Sequence, residues 1–194
     1  IDPFEAPHPG YALIELSSSR PEGALREALE TMLADAFETG ILNDAVLADS
    51  QERRAALWRI RESVPGAQKR EGGSIKHDVA VPVSCVPVFI REATRAVEAA
   101  LPGVRVVPFG HVGDGNIHFN LTQPVGADKA VFLAEWPRIN RIVHDIVTGL
   151  RGSISAEHGI GRLKRDELAR YKTPVELALM RQIKQALDPQ GLMN

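Results

Sequence analysis

The stretch "VRVVPFGHVGDGNIHFNLTQP", residues 104–124, limits the possible folds of this chain more than any other. Two β-rich arms, 104–111 and 116–124, flank a turn with glycines at 113 and 115, residues that supply the backbone angles a tight reversal demands. Side chains alternate along a strand, so Ile117, Phe119 and Leu121 form one apolar face, and His118 and Asn120 look out from the other. His111 closes the first arm. A hairpin of this pattern brings His111 and His118 towards one place away from the core.

Around the hairpin, strand and helix patterns alternate. Strands are predicted over 11–19, 44–49, 74–82 and 152–159 as well as in the two arms. The helices predicted are 23–40, 50–64, 87–103, 128–150, 162–171 and 173–187. Ser19 and Glu22 resemble a capping box for the first. Pro65 is expected to end the second, and Pro137 to kink or break the long fourth. Thr173, Pro174 and Glu176 make a capping box with proline at the first helical position of the last. The absence of a succession of buried Val/Ile strands and Gly-rich crossovers argues against a doubly wound parallel sheet. The order predicts an α+β fold: a largely antiparallel sheet covered by helices, in two ferredoxin-like halves.

Composition narrows the function classes. Over 194 residues the formal net charge is −2, which supplies no electrostatic ground for binding nucleic acid or an anionic membrane. No apolar run reaches the length of a membrane span. The single Cys85 excludes an internal disulfide, reads as a small buried hydrophobe and fits a reducing, cytoplasmic compartment. The Pro-rich residues 1–10 read as a linker from a preceding domain, with one domain over 11–194.

Chemistry concentrates at three places. Either hairpin histidine by itself reads as a surface or hydrogen-bonded side chain. As a pair they are most of a divalent-metal site, because imidazole ligates zinc and similar ions and catalytic sites add a third protein ligand. "SAEHGIG" offers that ligand in Glu157, with His158 beside it as an acid/base; the alternative there is a strand-end glutamate and a capping histidine. Gly159 and Gly161 form either an anion-binding nest or a plain loop. Arg61 in "LWRIRES" and Lys76 in "SIKHDVAV" are two cations for the same site; their other readings are a solvated helix face and, for Lys76 with Asp78, a solvated strand edge. His8, His77 and His144 read as structural or surface residues.

Taken together, "GHVGDGNIHFN", "SAEHGIG", "RIRES" followed by "IKHDVAVP", and "ALDPQGLMN" resemble the C-terminal half of FAD-linked 2-hydroxyacid dehydrogenases of the vanillyl-alcohol-oxidase type. That group includes D-lactate dehydrogenases, the glycolate oxidase large subunit and D-2-hydroxyglutarate dehydrogenases. The resemblance implies a ferredoxin-like substrate (cap) domain that follows a separate FAD-binding domain. It implies His111, His118 and Glu157 as ligands of zinc or manganese, His158 as the base that takes the substrate hydroxyl proton, and Asn120 assisting at the metal. Arg61 and Lys76 match positions that grip carboxylates, and Asn194 matches a closing motif near the flavin. The partners implied are a small 2-hydroxy acid, the FAD-binding domain and a second copy in a homodimer. Nothing in this chain resembles the FAD-phosphate-binding domain, so the chain alone is expected to be inactive. Pro65 stands where hydroxyglutarate-specific members carry a hydroxyl. Two other readings use the same residues: a stand-alone zinc hydrolase with His158 as base, and an interaction domain whose histidines hold no metal.

Overall fold

The computed structural model describes residues 2–19 and 24–193. They fall into two compact units, Ile1–Ala67 and Gln68–Asn194. Glu22, half of the capping box predicted with Ser19, lies outside the described residues, as does Asn194.

In the first unit, α1 (Ala24–Glu38) follows the predicted pattern, and α2 begins at Gln51. Residues 11–19 and 44–49 are not strands. A strand needs a hydrogen-bonded neighbour, and the only sheet among the described residues lies in the second unit. The 11–19 segment is held instead by side chains: Glu15 accepts from Arg54 Nη2 and Trp58 Nε1, each at 2.6 Å.

The second unit starts inside α2, which runs to Arg70 with Pro65 in its interior instead of stopping there. Proline removes one helical hydrogen bond and disfavours continuation. The turn beyond it is anchored from outside: the buried Gln68 donates to Thr122 Oγ1 at 3.1 Å and accepts from Asn120 Nδ2 at 2.9 Å.

Three antiparallel strands follow, β1 (Ser74–Ala80), β2 (Arg105–His111) and β3 (Asn116–Thr122), in the order β1-β3-β2. The β2–β3 hairpin is the one the sequence predicts. Gly115 closes its turn at φ +74°, and a Cβ there would lie 2.0 Å from the Val81 carbonyl oxygen. α3 (Val86–Ala100) crosses from β1 to β2. The predicted long fourth helix is two, α4 (Lys129–Ala134) and α5 (Trp136–Gly149), broken at Glu135 with Pro137 in the first turn of α5. α6 (Arg165–Tyr171) and α7 (Pro174–Leu187) close the unit, the latter with its capping box in place.

The α+β class and the antiparallel sheet are thus as predicted. The described residues contain one sheet and not two, because three predicted strands did not form. The third of these, 152–159, makes one bridge, Ala80 with Ser153, and then leaves the ladder. Ser153 Oγ donates to the Ser155 carbonyl at 2.8 Å and Ser155 Oγ to the Gly159 carbonyl at 2.7 Å, local bonds that compete with strand pairing.

α3 and α5 pack on one sheet face, with Phe89, Phe119, Leu121, Ile139 and Val143 buried between them. Each such side chain contributes about 1.5–3 kcal/mol on burial. Cys85 is half-buried against this core. Among the described residues no helix is long and apolar enough to cross a membrane.

His77 also faces this core. It is 2% exposed, its Nδ1–H donates to the Phe119 carbonyl at 2.8 Å, and its ring meets that of the buried His144 edge-on at 5.8 Å. Burial pushes its pKa down from 6.5 to about 4. The folded chain therefore holds His77 neutral while the unfolded chain protonates it, so stability falls as pH drops from about 6.5 towards 4. The loss attributable to this ring is roughly 3 kcal/mol at its limit. Denaturant unfolding across that range should show this slope, and His77→Gln should flatten it.

Candidate functional site

The sheet face opposite the helices carries polar groups in register. Lys76 stands opposite Asn120 and Asp78 opposite His118 on β1 and β3; Phe109 and His111 on β2 stand opposite His118 and Asn116. His111 and His118 therefore share this face, one diagonal step apart, as the hairpin pattern predicts.

Onto this face comes the 153–161 loop. Its entry is fixed by the close pass of Gly152, whose hypothetical Cβ would lie 2.3 Å from the Ala80 carbonyl oxygen. Ser153 and Ala80 exchange two backbone hydrogen bonds at 2.7 and 3.0 Å, and Ala156 N–H donates to the Asp78 carbonyl at 3.2 Å. The Asp78 side chain then takes over: Oδ2 accepts from the backbone N–H groups of Glu157 at 3.1 Å and His158 at 3.0 Å. Adjacent residues on a strand would point to opposite faces, but the turn delivers both Glu157 and His158 to the same carboxylate.

The result is a tight cluster. Glu157 Oε1 lies 3.3 Å from His118 Nε2, and His118 Nδ1 lies 3.7 Å from Asp78 Oδ1. His158 Nδ1 is 3.4 Å from Asp78 Oδ2. The Phe109 ring backs His118 at 5.1 Å between centroids. Glu157 and His158 are open to solvent, with side chains 53% and 66% exposed, whereas that of Asp78 is only 5% exposed. Ligand atoms of Asp78, Glu157 and His158 all lie within 4.8 Å of one another. Under the loop, Lys164 Nζ donates to the Ile154 carbonyl at 3.0 Å. Burial holds that ammonium below the usual lysine range, against the opposing pull of Asp78.

The predicted residues are brought together unequally. His118, Glu157 and His158 converge. Lys76 is exposed on the same face, and Asn120 is buried there with its amide donated to Gln68. His111 ends β2 on this face and lies outside the Asp78–Glu157–His158 group. Arg61 is half-buried on α2 in the first unit. Gly159 and Gly161 both take left-handed angles, and the Gly159 carbonyl is engaged by Ser155.

Two residues escaped the sequence reading. Asp78 was assigned to a solvated edge, yet it is buried at the centre of the cluster. Its register position opposite His118 was the available signal. Gln68 lay beyond the expected end of α2, and nothing in its neighbourhood marked it.

The donor set suits a divalent cation. His118 Nε2 and a Glu157 oxygen face each other at a separation that two acceptors occupy comfortably only with a proton or a cation shared between them. Imidazole nitrogen with carboxylate oxygen is the chemistry of zinc and manganese sites.

The second unit is thus a sheet with α3 and α5 on one face and an imidazole–carboxylate cluster on the other. The sequence places it: residues 2–194 match the model of the "FAD linked oxidases, C-terminal domain" family, and the chain belongs to that family. It is 37% identical over 192 residues to D-2-hydroxyglutarate dehydrogenase of Stutzerimonas stutzeri (strain A1501), covering 99% of this chain and 41% of that protein. It is 38% identical over 194 residues to the enzyme of the same name from Xanthomonas citri pv. viticola, with 99% and 40% covered. The mitochondrial D-2-hydroxyglutarate dehydrogenase of Bos taurus is 34% identical over 186 residues, 96% of this chain and 33% of that one. The chain thus spans about two fifths of the length of its bacterial relatives.

The Gln68–Asn120–Thr122 ladder fixes the floor of this face, and all three residues are buried. Gln68→Leu leaves two buried polar side chains unpaired, at a cost of about 1–3 kcal/mol for each. Chemical denaturation should therefore show a loss of roughly 2–6 kcal/mol, with the β2–β3 hairpin retained in amide exchange.

Proposed function

We propose that this chain is the substrate-binding, metal-carrying part of an FAD-dependent dehydrogenase that oxidises a D-2-hydroxy acid to the 2-oxo acid. The family membership and the names of the relatives support the reaction class. The observation that carries the metal is the 3.3 Å approach of His118 Nε2 to Glu157 Oε1, beside the buried Asp78. His118 and Glu157 are the ligands, with His111 completing the set from the end of β2. A divalent cation held by these residues would act as a Lewis acid that makes the substrate hydroxyl easier to deprotonate.

The chain's own groups then have defined work. Lys76, exposed on the same face, offers its ammonium to the substrate carboxylate. His158 turns Nδ1 towards Asp78, which leaves Nε2 open to accept the hydroxyl proton. Loss of that proton raises electron density on oxygen and favours departure of the hydride from the same carbon. FAD, held mainly by a domain preceding this chain, would supply the hydride acceptor, and Asn194 is the residue of this chain assigned to it by resemblance. Arg61 is the second carboxylate-binding cation. The relatives favour hydroxyglutarate as substrate, although Pro65 offers no hydroxyl for its distal carboxylate.

Elemental mass spectrometry of the purified chain tests the metal. Near-stoichiometric zinc or manganese is expected in the wild type, with most of it lost in His118→Ala and in Glu157→Gln. Absence of metal from the wild-type chain under metal-replete conditions counts against the ligand assignment. In the protein joined to its FAD-binding domain, His158→Ala should lower kcat on the D-2-hydroxy acid by about 10²–10⁴-fold, the usual worth of a positioned base.

A further inference from the structure

We propose that Asp78 is the positioning residue of this site: a single buried carboxylate that sets the tautomer of His118 and clamps the backbone bearing Glu157 and His158. Its consequence for metal binding rests on the reading above; the geometry stands by itself.

A charged side chain as buried as Asp78, 4% exposed, has to be matched by donors. Oδ2 has two, the amides of Glu157 and His158. Oδ1 is buried and has no hydrogen-bond partner among the described residues. The ring nitrogen that faces it is His118 Nδ1, at 3.7 Å, a small rotation of the imidazole away from a hydrogen bond. Carboxylates face both ring nitrogens and can only accept, but Glu157 is 53% exposed and open to water whereas Asp78 Oδ1 is buried without another donor, so the proton is assigned to Nδ1. With the proton on Nδ1, the lone pair of Nε2 is directed at Glu157. That is the arrangement in which a carboxylate behind a histidine fixes the ring for metal binding through its other nitrogen. The same logic applies to His158, whose Nδ1 lies 3.4 Å from Oδ2.

Asp78 acts on His118 through its ring and on Glu157 and His158 through their backbone, across 79 and 80 residues of sequence. It touches no reacting atom in this scheme, so its role is orientation.

Asp78→Asn is the informative change. It keeps the shape but replaces one acceptor oxygen by a donor, which then faces either the two amides or the His118 ring. In the metal-free, 15N-labelled chain above the imidazole pKa, the wild type should show His118 protonated at Nδ1 in long-range 15N–1H spectra. In Asp78→Asn that preference should be lost. The Glu157 and His158 amides should exchange roughly tenfold faster or more, while Phe119 and Leu121 stay protected. Zinc affinity, by titration of the same chains, should fall about 10–100-fold. A wild-type His118 protonated at Nε2 overturns the proposal, and that measurement needs no variant to fold. So does Asp78→Asn with unchanged tautomer and amide exchange, even if its zinc affinity falls, since that makes Asp78 a direct ligand. A wild-type chain that binds no zinc refutes the metal reading alone, because tautomer and exchange are read without metal.

Discussion

Two backbone amides donated to one buried carboxylate hold this site together. The bonds from Glu157 and His158 to Asp78 complete a path that the strand bridge, the Ala156 amide, the Lys164 ammonium and the serine contacts begin. With them, an acidic and a basic side chain from adjacent positions are delivered to the same point on the sheet. The remaining features serve this arrangement. β3 is the central strand, and its register sets His118 opposite Asp78. Gly115 permits the turn that brings β2 alongside, and Gly152 permits the approach of the loop to β1.

The two faces of the sheet handle their polar groups by different physics. On the helix side, His77 and His144 are enclosed, and desolvation keeps both below the ordinary histidine range. Glu167 partly offsets this for His144, lying 3.3 Å from its Nδ1 and paired also with Arg141. These rings are structural. On the loop side His118 and His158 meet carboxylates and solvent. The alternation of one strand, "SIKHDVA", places His77 in the first setting and Asp78 in the second.

Much of the fold was legible because it rests on local signals. The hairpin, α3, the break at Glu135 ahead of Pro137 and the capped α7 each follow from spacing, glycine, proline or capping residues within a few positions. Three strand predictions failed for a common reason. Alternating apolar residues describe a segment that can pair, and pairing depends on an available edge. Residues 11–19 and 44–49 join no sheet, and 152–159 was drawn off its edge by serine and aspartate side chains. Pro65 misled in the opposite direction, since Gln68 tethers the turn beyond it.

The sequence by itself determined the class of fold, the pairing of the two hairpin arms, the side of the sheet on which His111 and His118 lie, and the family. All of these are written in short-range periodicity and motif residues. Only the tertiary structure decided that Asp78 is buried, that His118 stands between it and Glu157, and that Gln68 underlies Asn120. Each of those facts depends on segments far apart in the chain meeting in space. Burial of a carboxylate depends on what covers it, and no pattern within its own strand records that.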